Sequence, residues 1–281
     1  MIARRSRREK IILTFLLCLA VWGFFIEPCF FLIEHRAEAR PRGWPKELDG
    51  LTIALISDIH AGSPYVGKTR VKQLVLRVNA AKPDMIVLLG DYVIQTVVGG
   101  RFLPPEELAV LLKELKAPLG VYAVLGNHDW WLDGPRVRVA LAGQGIKVLE
   151  NENVRVSARG SRFSLLGLAD HIERKPDPVS PLAGVPDSEP VIALIHEPDY
   201  FPEIPDRIAL TLAGHTHGGQ VRLPFFGSLI VPSRFGQRFV RGLIKEGGRL
   251  IYVTTGVGTS IIPVRFGVPP EYAIVTVRSA P

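Results

Sequence analysis

Five short apolar runs, each ending abruptly at aspartate, asparagine or histidine, constrain this chain more than any other feature. Leu51 to Ser57 leads into Asp58-Ile59-His60, Met85 to Leu89 into Gly90-Asp91, and Gly120 to Leu125 into Gly126-Asn127-His128-Asp129. Val191 to Ile195 leads into His196, and Ile208 to Ala213 into Gly214-His215-Thr216-His217. Runs of this length without alternation suit strands covered on both faces. In an open α/β sheet, ligands sit in the crevice beyond the strand ends, so these polar residues are expected to converge. Five of the seven histidines fall in this pattern, and only His35 and His171 lie outside it.

The connecting stretches agree with an α/β class. Val71, Leu74, Val75 and Val78 make one helical stripe that stops before Pro83. Pro104-Pro105-Glu106-Glu107 opens a second helix with Leu108, Leu111, Leu112 and Leu115 on its buried face, and Asp133-Gly134-Pro135 starts a third. After Gly145 the chain turns β-rich, with strands expected at 146–149, 153–157 and 163–168, a hairpin joined through Glu246-Gly247-Gly248, and a closing strand at 272–277. Asp170 to Pro190, with five prolines, reads as a long irregular loop in which Asp170 and His171 are solvated. Trp130-Trp131 is expected to line a wall of the site. Phe225 to Phe235, interspersed with arginines, reads as a satellite core under a loop, with contact to lipid headgroups as the alternative.

The N-terminus divides into a basic tail (1–10), an uncharged apolar segment broken only by Glu27 and Pro28 (11–33), and a Pro/Gly-containing linker (34–50) ahead of one catalytic domain (51–281). Arg4, Arg5, Arg7, Arg8 and Lys10 outnumber Arg36, Arg40 and Arg42 across the span. That bias predicts a single-pass anchor in the cytoplasmic membrane with the domain extracytoplasmic. The alternative is export on a twin-arginine-like signal, Ser6-Arg7-Arg8, with cleavage at Ala37-Glu38-Ala39.

The net charge of +7 does not indicate nucleic acid. Residues 1–42 hold 8 Lys/Arg against 4 Asp/Glu, so the basicity belongs to the membrane end and the body is close to neutral. Both cysteines, Cys18 and Cys29, lie in the apolar segment, so the domain has no disulfide. Nothing in the residues signals an oligomeric state.

Two divalent ions about 3.5–4 Å apart need several protein donors with one carboxylate between them. The inventory supplies Asp58, His60 and His217 for one ion, Asn127, His196 and His215 for the other, and Asp91 as the bridge. Two dications against two aspartates and a hydroxide leave about one positive charge, which suits a phosphate anion. In order, Asp-x-His, Gly-Asp, Gly-Asn-His-Asp, a lone strand-end His and Gly-His-x-His resemble the calcineurin-like metallophosphoesterase superfamily over residues 50–278. The stretches Gly218 to Pro224 and Gly256 to Glu271 resemble its bacterial membrane-associated branch. The resemblance implies a four-layer α-β-β-α sandwich of two mixed β-sheets flanked by helices, and a dinuclear centre of manganese, with iron or zinc as alternatives. It also implies that a metal-bridging hydroxide attacks phosphorus while His128, not itself a ligand, faces the leaving group. Asp129 is expected either to orient His128 or to cap a turn.

The function expected is hydrolysis of a phosphodiester or pyrophosphate in a small-molecule or lipid substrate, by an enzyme held in the bilayer through residues 11–33. Two alternatives stand beside it: a lipid or sugar-nucleotide-lipid pyrophosphate hydrolase, and a catalytically silent metal-binding module.

Overall fold

The structure, a computed structural model, describes residues 6–95 and 97–280; Arg4 and Arg5 of the basic tail lie outside them. The chain begins with α1 (Arg7–Val21), capped by Ser6, whose Oγ accepts the Glu9 N–H while the Glu9 carboxylate accepts the Ser6 N–H. A π-helical turn (Trp22–Ile26) and α2 (Glu27–Phe30) continue it. The wide turn has a cause in Pro28, which brings no N–H and crowds the carbonyl four residues earlier. The continuous helix, Arg7–Phe30, has a mean hydropathy of 2.1 over its most apolar window, long and apolar enough to cross a membrane. It ends three residues short of the expected span.

The linker expected at 34–50 is corrected. It begins inside β1 (Ile33–Ala39), whose residues alternate between the sandwich and solvent. The strand follows from that alternation: His35 and Ala37 turn inward, while Glu34, Arg36 and Glu38 face water. Only Arg40 to Gly50 remains as a connector, and there Trp44 and Leu48 are buried against the sheets.

Sheet I contains β2 (Leu51–Ile56), β3 (Met85–Leu89), β4 (Val121–Val124) and β5 (Lys147–Val148), all parallel. The strand β14 (Glu271–Val277) runs antiparallel beside β2, and β1 pairs with it in parallel, Ile33 against Glu271 and Ala39 against Val277. Sheet II has the order β12 (Gly242–Glu246), β13 (Arg249–Val253), β9 (Leu210–Ala213), β8 (Val191–Leu194), β7 (Ser161–Gly167), β6 (Glu152–Ala158). It is parallel from β13 to β7 and antiparallel at both edges. A two-residue ladder, β10 (Arg222–Leu223) with β11 (Gly227–Ser228), stands apart.

The sheets face each other across a core that includes Ile53, Leu55, Val87, Leu89, Phe163, Leu165, Ile192 and Leu212. The outer face of sheet I is covered by α3 (Lys68–Ala80), α4 (Pro105–Leu112) and α5 (Asn127–Ala142). The stripe Val71, Leu74, Val75 and Val78 is buried as its spacing predicts, each side chain contributing roughly 1.5–3 kcal/mol. The outer face of sheet II is covered differently, by short 3-10 helices (Ser180–Leu182 and Pro198–Glu203) and the loop that carries Phe239. The fourth layer is helical, but thin.

The helix expected from Asp133 starts earlier, at Asn127. Asp133 has extended backbone within it and its carboxylate accepts the Arg136 N–H, so the predicted start is the cap of a second segment behind a kink. As a result Asn127, His128 and Asp129 lie on a first helical turn rather than in a loop.

Candidate metal centre

The polar residues meet at one end of the sandwich. Asp58 and His60 follow β2, Asp91 follows β3 and Asn127 follows β4, while His196 follows β8 and His215 follows β9. Backbone hydrogen bonds continue the parallel pairing past the strand ends: Asp58 N–H to Gly90 O (3.0 Å), His60 N–H to Asp91 O (3.0 Å) and Gly214 N–H to His196 O (3.0 Å). Two bonds cross between the sheets, from His215 N–H to Asp58 Oδ2 (3.0 Å) and from His196 Nδ1 to Leu89 O (2.6 Å).

Close approach is possible because glycines precede the donors. A Cβ on Gly90 would lie 2.6 Å from Gly126 N and 2.7 Å from His196 Nδ1. Asp58, His60, Asp91, His215 and His217 all adopt positive φ, between 44° and 69°. Such left-handed residues cost of order 1–3 kcal/mol each and persist where surroundings over-determine them, as at ligand clamps.

Three groups of donor atoms each lie within 4.8 Å of one another: Asp58, His60 and His217; Asp91, His196 and His215; and His60, Asp91 and His128. His60 Nε2 and His217 Nε2 face each other at 3.0 Å, and His196 Nε2 lies 3.2 Å from Asp91 Oδ2 and 3.3 Å from His215 Nδ1. Asp58 Oδ1 and Asn127 Oδ1 are buried without hydrogen-bond partners. Buried oxygens that lack donors, beside ring nitrogens turned toward one another, suit cations. Backbone carbonyls fix two of the rings: His196 Nδ1 donates to Leu89 O and His60 Nδ1 to Val93 O (3.4 Å), which turns each Nε2 inward.

Burial holds His60 and His215 down to about 3 and His217 well below its ordinary value, so these rings are neutral and able to ligate. Burial also raises Asp58 to about 6. Burial opposes charge on His196 as well, but the Asp91 carboxylate outweighs it and raises that ring well above its usual range.

The nine residues predicted for the site divide by what they touch. Asp58, His60, Asp91, Asn127, His196, His215 and His217 surround the convergence point. His128 borders it: its ring packs edge-on against His60 (4.8 Å between centroids) and Trp131 (4.5 Å), with Nδ1 unpaired. Asp129 does not reach the His128 ring. Its Oδ1 accepts the N–H groups of Tyr92 (2.9 Å) and Val93 (3.4 Å), and its Oδ2 those of Asp91 (2.9 Å) and Gly126 (2.9 Å). The catalytic role expected for Asp129 is therefore corrected to that of a cap holding the Asp91 loop. Burial and Asp91 push its pKa up to about 8, yet both oxygens face only donors, which leaves no place for a proton and favours the anion.

Other expectations change too. Asp170 is buried and His171 half-buried, with Glu197 accepting the His171 N–H, so these two are not solvated as expected, although the loop that follows them is largely exposed. Phe235 joins a core as expected, but Phe225, Phe226, Leu229 and Ile230 are exposed.

Arg265 escaped the sequence reading altogether. Fully buried, it donates to the carbonyls of His217 (3.1 Å), Thr255 (2.9 Å) and Gly258, and its Nη2 lies 3.2 Å from His217 Nδ1. A lone arginine in a Gly/Pro-rich tail carries no local sign of burial.

The family profile described as calcineurin-like phosphoesterase matches residues 51–219. The uncharacterized metallophosphoesterase YkuE of Bacillus subtilis (strain 168) is 34% identical over 238 residues, 84% of this chain and 82% of its own. Phosphodiesterase YaeI of Escherichia coli (strain K12) is 31% identical, covering 88% of each chain. Among solved structures, the NAD nucleotidase NadN of Haemophilus influenzae superposes with a TM-score of 0.50 at 14% identity, over 74% of this chain and 45% of that one; this likeness concerns the fold alone. Strand-end donors that the chain order predicted, the two-sheet sandwich that gathers them and the relatives sharing most of its length agree: this chain belongs to the calcineurin-like metallophosphoesterases, metal-dependent hydrolases of phosphoric esters.

Proposed function

We propose that the chain hydrolyses a phosphodiester or pyrophosphate bond with two divalent cations. Asp58, His60 and His217 would hold one, Asn127, His196 and His215 the other, and Asp91 would lie between them. The observation that carries this reading is the pair of buried, partnerless oxygens, Asp58 Oδ1 and Asn127 Oδ1, on either side of Asp91. Bound there, divalent cations, manganese first among the candidates, would supply a nucleophilic hydroxide at neutral pH and neutralise charge on the phosphoryl oxygens.

The chain's own residues do the rest. Asp91 accepts the His128 N–H at Oδ1 (3.0 Å), which sets the start of α5 against the centre. Burial holds the His128 pKa below its ordinary value, so at neutral pH its ring offers an N–H donor to the phosphoryl or departing oxygen. Trp131 packs on that ring and is itself held by Glu173 (2.7 Å from Nε1). The cleft in front, about 620 Å³, is large enough for a phosphodiester with one sizeable substituent. Arg7–Phe30 is read as a single membrane crossing, with the domain on the extracytoplasmic side by the positive-inside bias.

The test uses the full chain in detergent, since β1 belongs to the sheet. Manganese-dependent hydrolysis of bis-p-nitrophenyl phosphate is compared with that of p-nitrophenyl phosphate. Asp91→Asn should abolish turnover, whereas His128→Ala should retain two ions per chain and lose roughly 10²–10⁴ in kcat. Equal turnover by wild type and Asp91→Asn would overturn the two-cation reading, and loss of an ion from His128→Ala would make that ring a ligand.

A further inference from the structure

The cleft is lined by two unlike sets of residues: Asp91, Asn127 and His215 of the metal centre, and the apolar Leu229, Ile230, Ile261, Ile262 and Val264. Beyond its mouth the apolar lining continues outward: Phe225 is 104% exposed, Phe226 77%, Ile230 79% and Ile261 73%. These tips belong to one surface. Arg222 N–H donates to Phe266 O (2.8 Å) and Phe266 N–H to Gln220 O (2.9 Å), and the Gln220 side chain ties to Ser260 in both directions. Val97 bridges to Ile261, which brings the exposed Val98 and Phe102 alongside. Phe225 and Ile261 also hold positive φ, an uncommon strain for such side chains in water. Apolar patches of this kind, edged here by Arg101 and Arg222, mark interaction sites.

The anchor helix identifies what covers them. A hydrocarbon core of about 30 Å takes roughly 20 helical residues, which from Ile11 reach Phe30. Yet the domain already meets the helix at Gly23, which lies against Val264 and Phe266 and accepts the Arg265 N–H (2.9 Å). From Ile11 to Trp22 the helix rises only about 18 Å. The remaining ~12 Å of apolar bilayer therefore has the domain for a neighbour. The domain surface at that level is the apolar one: Phe225 and Phe226 share a hollow with Trp22 and Glu27.

We propose that the tips at Phe225, Phe226, Ile230, Ile261 and Ile262 enter the same bilayer as the anchor, so that the cleft opens at the lipid surface and takes a phosphoester carrying a long apolar tail. The tail lies along Ile230 and Ile262 while the phosphoryl group faces Asp91 and His128. Arginines at the edge, Arg101 and Arg222, suit anionic headgroups. The substrate class rests on the phosphoesterase reading above; the embedded surface rests only on the helix as a membrane crossing.

Two measurements on the full chain in phosphatidylcholine/phosphatidylglycerol nanodiscs test this. In a Cys18→Ser, Cys29→Ser background, an environment-sensitive fluorophore is attached at Phe226→Cys, at Ile262→Cys, and at Val139→Cys on the exposed face of α5. The first two should shift to the blue and be quenched at least twofold by nitroxide-labelled lipids, the third not at all. Tips that read like position 139 would overturn the proposal, and so would tips that shift but escape lipid quenching, because a protein or a second copy would then cover them. In the second measurement, hexadecyl p-nitrophenyl phosphate is compared with methyl p-nitrophenyl phosphate under Mn²⁺. The tailed probe should have a kcat/KM at least tenfold higher, and Phe225→Ser/Phe226→Ser should erase that preference while leaving the methyl probe unchanged. Equal kcat/KM for the two probes would overturn the substrate class. Hydrolysis of neither, with the tips quenched, would overturn the phosphoesterase reading and leave the embedded surface standing.

Discussion

Asp129→Asn separates a residue that builds the site from one that works in it. The Asp129 carboxylate accepts four backbone N–H groups, two at each oxygen, from Gly126 and from Asp91 to Val93. Asparagine keeps one oxygen for two of these donors and turns an amide NH₂ toward the other two. Hydrogen bonds to a charged acceptor contribute roughly 1.5–3 kcal/mol each, so losing two costs about 3–6 kcal/mol. In a chain of this size each kcal/mol moves the unfolding midpoint by about 2–4 °C, which predicts a fall of roughly 6–24 °C. Near-UV circular dichroism of the full chain in micelles, scanned with a chelator present, measures this without any contribution from lost cations. Loosening of the Asp91 loop should also weaken manganese binding by about 10–100-fold, as removal of partners behind a ligand generally does. The reasoning fails if the midpoint stays within about 2 °C, a shift expected of less than 1 kcal/mol, while kcat collapses and His128→Ala adds nothing further. Asp129 would then act through His128.

Three further outcomes follow from single side chains. Asn127→Asp adds a negative charge where the phosphate approaches; at an effective dielectric of about 20 and a separation of about 5 Å this opposes binding by up to ~3 kcal/mol, so KM for a phosphodiester should rise more than tenfold with the cations retained. Arg155 holds the Glu189 carboxyl below its ordinary 4.5, chiefly by hydrogen bonding. That lowered pKa gives stability which is complete above about 4.5 and lost as pH falls through the folded value. Arg155→Gln should therefore lower the urea midpoint at pH 7, by a small amount because Arg155 itself is solvent-exposed, and the difference from wild type should vanish as the pH falls through the folded value. Arg265→Met leaves the carbonyls of His217, Thr255 and Gly258 without this donor, at about 1–3 kcal/mol each, so the thermal midpoint should fall steeply, with partial recovery in Arg265→Lys.

What the residues disclosed in advance is local, and what they hid is not. A parallel strand buried on both faces is a plain apolar run, and its end is marked by the first polar side chain; this is why Asp58, Asp91, Asn127, His196 and His215 could be picked out one by one. The stripe from Val71 to Val78 is equally local. By contrast β1 alternates charged and small residues on a short edge, and its partner β14 lies more than two hundred positions away, so it reads as a connector. Asp170 looks solvated among prolines until the fold brings Glu197 beside it. Asp129 follows His128 in sequence, but on a helical turn the next residue points elsewhere, and its carboxylate finds the Asp91 loop instead.

The N-terminal helix is tied to the domain that follows it. Gly23 O accepts the backbone N–H of Arg265, whose guanidinium holds the His217 carbonyl and the Thr255 to Gly258 turn; Gly258 N–H in turn donates to Asp58 O (2.7 Å). The buried Glu27 carboxylate accepts the N–H groups of Gly267 (3.0 Å) and Val268 (2.7 Å), and Arg70 on α3 reaches the carbonyls of Pro28 (2.9 Å) and Cys29. A carboxylate inside an apolar segment is costly unless such donors meet it, so Glu27 makes sense as a bolt between helix and domain. The same geometry bears on the export alternative. Ala37-Glu38-Ala39 lies within β1, paired residue for residue with Val275 to Val277. Cleavage there would cut the edge strand, remove Glu27 and Gly23 from their partners, and leave the open side of β14 as an unpaired edge, the kind of surface that invites aggregation. A retained helix keeps every one of those contacts, and the hydrogen bonds that start in it pass through Arg265 to the His217 carbonyl.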